Sequence, residues 1–175
     1  HYAETIQRSG RALLGVLDDV LDLSKIEAGR LELESVRFDL PELVREMSDL
    51  FGEAARAKGA RLVVSVAPAV PRWVEGDLVR LRQVLLNLVS NAVKFSARGI
   101  IESELRHDGD GALRFAVRDQ GLGIAPDKQA RIFDAFAQAD QGTTRRFGGT
   151  GLGLSIARQL VRLMGSDIGL HSTLG

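Results

Sequence analysis

The chain has 175 residues, no cysteine, and 23 basic residues balanced by 23 acidic ones. This length suits one ordinary domain, alone or with an appended element, and no apolar run approaches the ~20 residues that span a bilayer. Zero net charge argues against a nucleic-acid-binding protein, and the lack of cysteine excludes disulfides, zinc–cysteine sites and thiol nucleophiles. Glycine is enriched, with 19 residues, or about 11% against a usual ~7%.

The first predicted element is a helix over residues 2–28. Apolar side chains recur every seven positions, at Ile6, Leu13 and Val20, within a wider apolar stripe. A stripe of this kind needs a partner, so we expect a helical bundle. Packing onto the rest of its own chain is the alternative.

Helices and strands are mixed in the rest of the chain. Asp39, with Glu42 three residues on, and Asp77 fit helix N-caps, and an Asp-Gly pair between two alternating runs indicates a hairpin. The predicted strands cover residues 31–34, 61–66, 100–106, 112–118 and 167–172, and the predicted helices run from about 39 to 59, 77 to 95, 127 to 132 and 152 to 164, with a polar loop over 137–149. This order predicts an α+β fold, a two-layer α/β sandwich.

Three groups of residues are candidates for binding chemistry. Asn87, Asn91 and Lys94 lie at i, i+4 and i+7, so they share one helical face that offers an oxygen to a hard cation and donors to a phosphate. A solvated polar face is the alternative for these three. Asp119 precedes a glycine turn, Gly121-Leu122-Gly123-Ile124, where a carboxylate can accept from an exocyclic amine and backbone can approach a planar ring.

The third group is a glycine-rich run directly before an apolar helix, Arg145-Arg146-Phe147-Gly148-Gly149-Thr150-Gly151-Leu152-Gly153-Leu154. Backbone N–H groups at a helix N-terminus bind anions, and arginines reach phosphate oxygens. The run is not a Walker A loop, because Gly-Lys-Ser/Thr is absent, and its spacing differs from the Rossmann fingerprint.

Four motifs follow one another in order: Asn87-x-x-x-Asn91-x-x-Lys94-Phe95, Asp119-x-Gly121-x-Gly123-Ile124, Phe133-x-x-Phe136 and Gly149-x-Gly151-x-Gly153-Leu154. Together they resemble the catalytic ATP-binding domain of sensor histidine kinases, in the wider family shared with gyrase-type, MutL-type and heat-shock-chaperone ATPases. The resemblance covers residues 38–175 and implies the Bergerat-type sandwich of that family. Residues 1–37 resemble the second helix of the dimerisation and phosphotransfer hairpin plus a linker strand. The sequence of residues 137–147 is most similar to the lid of hybrid sensor kinases.

The resemblance implies a role for each matched residue. Asn91 would ligate Mg²⁺, Asp119 would bind the adenine amine of ATP, and Asn87 and Lys94 would act in catalysis by holding the phosphates or the water molecules on the metal. The other cofactor-binding residues would be Phe95, Gly121, Gly123 and Ile124 near the base, Phe133 and Phe136 anchoring a lid over 137–149, Arg145 or Arg146 at the γ-phosphate, and Gly149, Thr150, Gly151, Leu152, Gly153 and Leu154 along the phosphates.

Hydrolysing members of the family place a glutamate one turn before the metal-binding asparagine to activate water, and this chain has Asn87 there. We therefore expect a histidine protein kinase domain that transfers the γ-phosphoryl group to a histidine of a dimerisation hairpin, feeding a two-component phosphorelay. The alternatives are a conformational ATPase of the same family and a docking module that binds nucleotide without kinase activity.

The phosphoacceptor histidine of the family lies in a His-Glu/Asp-x-Arg-Thr-Pro-like context, which His1, His107 and His171 all lack. The chain also ends at Gly175, where the family continues into a final core strand. We therefore expect a fragment without the phosphoacceptor, which binds Mg-ADP weakly in calorimetry if that strand is absent. The expected partners are the hairpin with its histidine, a receiver domain or response regulator and a second copy in a full-length homodimer, with no nucleic acid. We expect the domain to act in the cytoplasm. Whether the full-length sensor is anchored in a membrane upstream of it is left open.

Overall fold

The computed structural model describes residues 2–109, 111–137 and 150–174, without the side chains of residues 4, 8, 11 and 12. In chain order, the helices and strands are α1 (Tyr2–Glu27), β1 (Val36–Asp39), α2 (Leu40–Ala57), β2 (Ala60–Val66), β3 (Trp73–Gly76), α3 (Leu78–Phe95), β4 (Gly99–Asp108), β5 (Ala112–Arg118), α4 (Pro126–Gln129) and α5 (Gly153–Leu163). The predicted order of helices and strands is confirmed over most of the described chain.

Two aspartates fix the starts of the two helices that pack on the sheet. The Asp39 carboxylate accepts from the backbone N–H of Glu42 at 3.0 Å and caps α2. The Asp77 carboxylate accepts from the backbone N–H of Arg80 at 2.9 Å and caps α3. Each cap satisfies a backbone donor that has no partner within its helix, as the sequence predicts.

In the part of the chain that the structure describes, the main sheet has three strands in the order β2-β4-β5, with β2 parallel to β4 and β4 antiparallel to β5. Its inner face contributes Ile101 and Leu105, which are buried in one core with Val44 and Met47 of α2 and Val89 of α3. The predicted two-layer sandwich is therefore confirmed. A separate two-stranded sheet pairs β1 with β3.

A second apolar cluster joins α1 to α3 and α5. Leu23 of α1 is buried against Val84 of α3, against Leu152, which precedes α5, and against Ile156 and Leu160 of α5. The end of α1 therefore packs on its own chain, as the alternative interpretation predicts. Farther from this cluster, the apolar stripe of α1 is exposed and keeps the bundle expectation open; its members include Ile6, Leu13 and Leu17.

Two predicted strands are wrong, because the backbone there bonds to side chains instead of to a neighbouring strand. Residues 31–34 form no strand; the Glu34 N–H donates to the Asp77 carboxylate at 3.0 Å, and pairing begins only at Val36. Residues 167–172 form none either; the Ile168 N–H donates to the Asp167 carboxylate at 2.8 Å. The sequence also misses β3, whose four residues directly follow a proline-containing loop.

Candidate functional site

Asn87, Asn91 and Lys94 form a polar stripe along one face of α3. Asn87, Asn91 and Lys94 are each half-buried, whereas Val89 and Val93 between them point into the core. The spacing therefore gives the face that the sequence predicts, and the stripe is partly shielded from water rather than a fully solvated surface.

Asn87 connects this stripe to the glycine-rich run. Its carboxamide nitrogen donates to the backbone carbonyl of Gly153 at 3.1 Å, where α5 begins. A Cβ on Gly153 would stand 3.1 Å from the Asn87 carboxamide oxygen, which is a tight approach. Glycine at this position therefore lets the start of α5 lie against α3, so two of the candidate motifs are in direct contact.

Asn91 lies one turn farther along α3. None of the described residues hydrogen-bonds its carboxamide. A half-buried amide without a protein partner is suited to bind a ligand, because burying it unpaired costs free energy. The described residues contain no cluster of three or more His, Cys, Asp or Glu side chains placed to hold a metal ion. An amide oxygen is a ligand that Mg²⁺ accepts, and Mg²⁺ commonly takes its other ligands from water and phosphate.

The C-terminal end of α3 is rich in positive charge. Burial, and secondarily the charge of Lys58, lowers the pKa of Lys94. The Lys58 ammonium donates to the backbone carbonyls of Val93 and Lys94 at 3.1 and 3.2 Å, and the Lys94 ammonium lies 4.8 Å from the centre of the Phe95 ring. A cation destabilised by burial and by a like charge is stabilised by an anion, so an anion that reached the Lys94 ammonium would be bound more tightly.

The Asp119 turn contacts the same end of α3. One carboxylate oxygen, Oδ1, accepts from the Gly121 N–H at 2.8 Å and from the Ser96 hydroxyl at 3.4 Å. A Cβ on Gly121 would come within 2.9 Å of the Phe95 carbonyl oxygen. Ser96, the buried C-cap of α3, contacts a candidate site residue and is not among the residues that the sequence predicts. Its position one residue after the last motif residue of α3 is the signal that could have found it.

Gly123 and Ile124 meet the last described residues of the chain. Gly123 has a φ of 67°, and a Cβ there would collide with the carbonyl oxygen of Thr173. The Ile124 N–H donates to the Ser172 hydroxyl at 2.9 Å, and Gln129 bridges the backbone carbonyls of both segments. Gly123 is therefore required by this close backbone approach, whatever else it contacts.

The two phenylalanines of the third motif lie next to the glycine-rich run. The Arg158 guanidinium lies 4.8 Å from the centre of the Phe133 ring. Phe136 is 65% exposed and has a φ of 62°, which is unusual for a residue with a side chain. Gly151, with a φ of 74°, approaches so closely that a Cβ would lie 3.0 Å from the Phe136 carbonyl carbon. Arg145, Arg146, Gly149 and the lid over 138–149 lie outside the described residues.

The start of α5 leaves donors for a ligand. Its N-cap residue, Leu152, is buried and makes no side-chain cap bond; the Leu152 N–H donates instead to the Thr150 hydroxyl at 3.2 Å. The first backbone N–H groups of a helix have no intrahelical partner and attract anions. Leu154 follows half-buried in the first turn. This end of α5 and the Asn87 face of α3 therefore form one polar corner.

The family model described as histidine kinase-, DNA gyrase B- and HSP90-like ATPase matches residues 76–175. The chain belongs to this family. Residues 76–175 contain all four motifs and both of the contacts that α3 makes with the glycine-rich run and the Asp119 turn. The predicted resemblance to hybrid sensor histidine kinases is confirmed, and the domain is a histidine kinase-like ATPase domain.

Relatives of this histidine kinase-like domain are sensor kinases. It is 42% identical over 178 residues to the sensor histidine kinase GacS of Pseudomonas protegens, covering 99% of this chain and 19% of GacS. It is 42% identical over 175 residues to the signal transduction histidine-protein kinase BarA of Escherichia coli, covering 98% of this chain and 19% of BarA. The chain therefore spans about a fifth of the length of these curated relatives.

Solved structures agree with the fold. The full-length kinase ShkA, crystallised with AMPPNP, superposes with a TM-score of 0.86 at 37% identity, over 99% of this chain and 36% of ShkA. The catalytic domain of the histidine kinase ThkA superposes with a TM-score of 0.62 at 32% identity, over 74% of this chain and 80% of that domain. Within the described residues, no helix combines the length and the apolarity needed to cross a bilayer.

Proposed function

We propose that this domain binds Mg-ATP in the corner formed by α3, the Asp119 turn and the start of α5, and transfers the γ-phosphoryl group to a histidine of a dimerisation hairpin. The observation that carries the proposal is that α3 contacts both the glycine-rich run at the start of α5 and the Asp119 turn. Asn87 meets the start of α5, and Phe95 and Ser96 meet the Asp119 turn. These two contacts are separated by about 13 Å along α3. A nucleotide extended along the helix would place its base at one end and its phosphates at the other.

Each end of the corner has the chemistry for its part of the nucleotide. At the base end, the described residues that hydrogen-bond Asp119 do so through Oδ1, which leaves Oδ2 for the adenine amine. At the phosphate end, the first N–H groups of α5 offer donors. Asn91 and Lys94 lie between the two contacts on the same face of α3, where Asn91 would offer the oxygen for Mg²⁺ and Lys94 would offer positive charge to the phosphates. The remaining residues would complete the site; they are Gly121, Gly123 and Ile124 around the base, Phe133 and Phe136 as anchors of the lid, and Gly149, Gly151, Gly153, Leu154 and Arg145 or Arg146 around the phosphates.

The bonding of Asn87 favours phosphoryl transfer over hydrolysis. Its carboxamide donates to the Gly153 carbonyl, so it is held as a neutral donor, and an amide is too weak a base to activate water. Such a site accelerates transfer by positioning and by neutralising charge. Bound Mg²⁺ would supply charge neutralisation on the phosphates. Lys94 would hold a phosphate, and Asn87 would keep the start of α5 against α3.

The proposal is tested by mixing this chain with Mg-ATP and a separately produced dimerisation hairpin that contains the acceptor histidine. We expect acid-labile, base-stable phosphate on the hairpin, and none on a hairpin with that histidine replaced by glutamine. Rapid phosphate release without transfer would support the conformational ATPase instead. Nucleotide binding with neither product would support the docking module.

Replacing Asp119 by alanine is expected to remove the preference for adenine over guanine nucleotides. A hydrogen bond to a charged group is worth about 1.5–3 kcal/mol, so ADP should bind about 10- to 150-fold more weakly while GDP is little affected. Competition between the two nucleotides measures this directly. Asp127→Ala, an exposed carboxylate on the neighbouring α4, is the matched control. A preference for ADP that survives in Asp119→Ala would contradict the assignment of the base end.

The same proposal extends to the full-length protein. Relatives such as GacS, BarA and the hybrid signal transduction histidine kinase A of Dictyostelium discoideum are much longer than this chain, which covers 9% of the last one. We propose a homodimer built on the exposed stripe of α1 and a receiver domain as the phosphoryl acceptor after the histidine. We also propose that residues 1–37 belong to the hairpin and residues 38–175 to the ATP-binding domain, which acts in the cytoplasm.

A further inference from the structure

Residues 131–137 contain both phenylalanines of the third motif and form consecutive turns rather than a helix or a strand. Their described backbone hydrogen bonds are local. The Asp134 N–H donates to the Arg131 carbonyl at 2.9 Å, and the Ala137 N–H donates to the Asp134 carbonyl at 3.2 Å. Local bonds of this kind do not place a segment against its neighbours, so the position of residues 131–137 depends on the contacts that their side chains and backbone make with other elements.

One of these contacts joins Phe136 to Gly151, two residues before α5. The backbones approach so closely that a Cβ on Gly151 would lie 3.0 Å from the Phe136 carbonyl carbon and 3.0 Å from the Ala137 carbonyl oxygen. Phe136 has a φ of 62°, a conformation that costs free energy for a residue with a side chain and persists only where its surroundings hold it. Gly151 belongs to the run where we propose that phosphates bind, so the strained residue lies at the phosphate end of the site.

The other contact is made by Arg158, in the second half of α5. Its guanidinium lies over the Phe133 ring, 4.8 Å from the ring centre. The Arg158 Nε and Nη2 atoms donate to the two carboxylate oxygens of Asp167 at 3.0 and 3.3 Å. Two hydrogen bonds from one guanidinium to one carboxylate fix the orientation of the cation. Asp167 therefore holds the Arg158 side chain in place over the ring.

Asp167 is itself held by the backbone and by a second arginine. Its Oδ1 accepts from the Ile168 N–H at 2.8 Å, and its Oδ2 accepts from Arg162 at 3.3 Å. The hydrogen bonds from Arg158, from the Ile168 N–H and from Arg162, in that order of size, hold the pKa of Asp167 well below its ordinary value. Of the two arginines on this carboxylate, Arg158 is the one that lies over Phe133, so Arg162 provides a matched comparison.

We propose that Arg158 is a positioning residue for the phosphates of the nucleotide and acts through Phe133. This inference rests on the proposed function. Arg158 keeps one part of residues 131–137 on α5, so that Phe136 stays against Gly151. The conformation at Gly151 decides where the N–H groups that follow it point, and these are the groups that would meet phosphates. The base would lie at the Asp119 turn, so losing the Arg158 contact should weaken phosphate binding and leave base binding unchanged.

The first test compares the affinities of the whole chain for Mg-ADP and for adenosine, which has no phosphate. Arg158→Lys keeps the positive charge and a good helix former, but it loses the paired bonds and the stacking of a guanidinium. We expect Mg-ADP to bind about three- to tenfold more weakly, the effect of one cation–π contact, and adenosine to stay within about twofold. Arg162→Lys, the same change on the exposed second arginine, should leave both affinities within about twofold. An unchanged Mg-ADP affinity in Arg158→Lys, or an equal loss for adenosine, would overturn the inference.

The second test asks whether Arg158 acts through the Phe133 ring. Phe133→Leu keeps an apolar side chain but removes the ring beneath the cation. We expect Phe133→Leu combined with Arg158→Lys to bind Mg-ADP within about twofold of Phe133→Leu alone, because changes that act through one contact are not additive. Losses that multiply would overturn the inference, since Arg158 would then act independently of the ring. If the unaltered chain binds no Mg-ADP, the inference and the proposed function fail together. If it binds Mg-ADP and Arg158→Lys changes nothing, the inference fails alone.

Discussion

Alanine at position 91 is expected to abolish Mg-dependent nucleotide binding while the folded structure remains intact. The Asn91 carboxamide is half-buried but hydrogen-bonds no described residue, so removing it leaves no protein group unpaired and costs little stability. If Asn91 is the protein ligand of Mg²⁺, its loss should weaken Mg-ADP binding by about 100-fold or more, because even residues that only support a ligand contribute 10–100-fold. Titration at millimolar Mg-ADP, with and without EDTA, measures the metal-dependent part.

The control for Asn91→Ala is Ser90→Ala on the adjacent position of α3. The Ser90 hydroxyl donates to the Asn87 carbonyl of the same helix at 3.2 Å, so its loss is a comparable change away from the proposed metal. Ser90→Ala should keep its nucleotide affinity within about threefold, the worth of one partly exposed hydrogen bond. Unfolding of Asn91→Ala, seen by circular dichroism, would instead assign Asn91 a structural role.

The helices of this domain can be predicted from sequence because their signals are local. Asp39 and Asp77 cap the backbone three residues on, and the spacing of Asn87, Asn91 and Lys94 defines a face without reference to any other segment. The strands depend on partners that the local pattern does not contain. Residues 31–34 alternate like a strand, yet the Glu34 N–H bonds to the cap of α3. Four residues at Trp73–Gly76 lack a strand-like pattern but pair with β1.

The same distinction applies to the site. Sequence motifs identify the residues on each segment, but not which segments touch. The hydrogen bond between Asn87 and Gly153 joins positions 66 residues apart, and the contact of Ser96 with Asp119 joins a helix end to a strand end. Asp22 and Arg80 are 58 residues apart, and each would pass for a solvated surface charge in the sequence. Their pairing depends on where α1 packs, which is fixed by the buried cluster around Leu23.

Alanine in place of Gly121 is expected to weaken nucleotide binding by about tenfold or more and to lower the free energy of unfolding by about 1–3 kcal/mol, the usual cost of overpacking. A Cβ there would lie 2.9 Å from the Phe95 carbonyl oxygen and 2.7 Å from the Asp119 carboxylate. The carboxylate can rotate, but the carbonyl belongs to the last residue of α3 and cannot. The turn must therefore move away from the helix and carry Asp119 with it. Chemical denaturation and Mg-ADP titration measure the two effects.

Gly169→Ala is the matched control for Gly121→Ala, since a Cβ at Gly169 meets no heavy atom within 4 Å and its backbone has no positive φ. It should change stability by no more than about 0.5 kcal/mol and leave the affinity unaltered.

Combining Gly121→Ala with Asp119→Ala distinguishes an effect through Asp119 from a direct contact between the turn and the nucleotide. If Gly121 acts by positioning Asp119, the double variant should bind ADP no more weakly than Asp119→Ala alone, because neighbouring changes that act through one contact are not additive. A further tenfold loss would instead mean that the backbone of the turn itself touches the nucleotide.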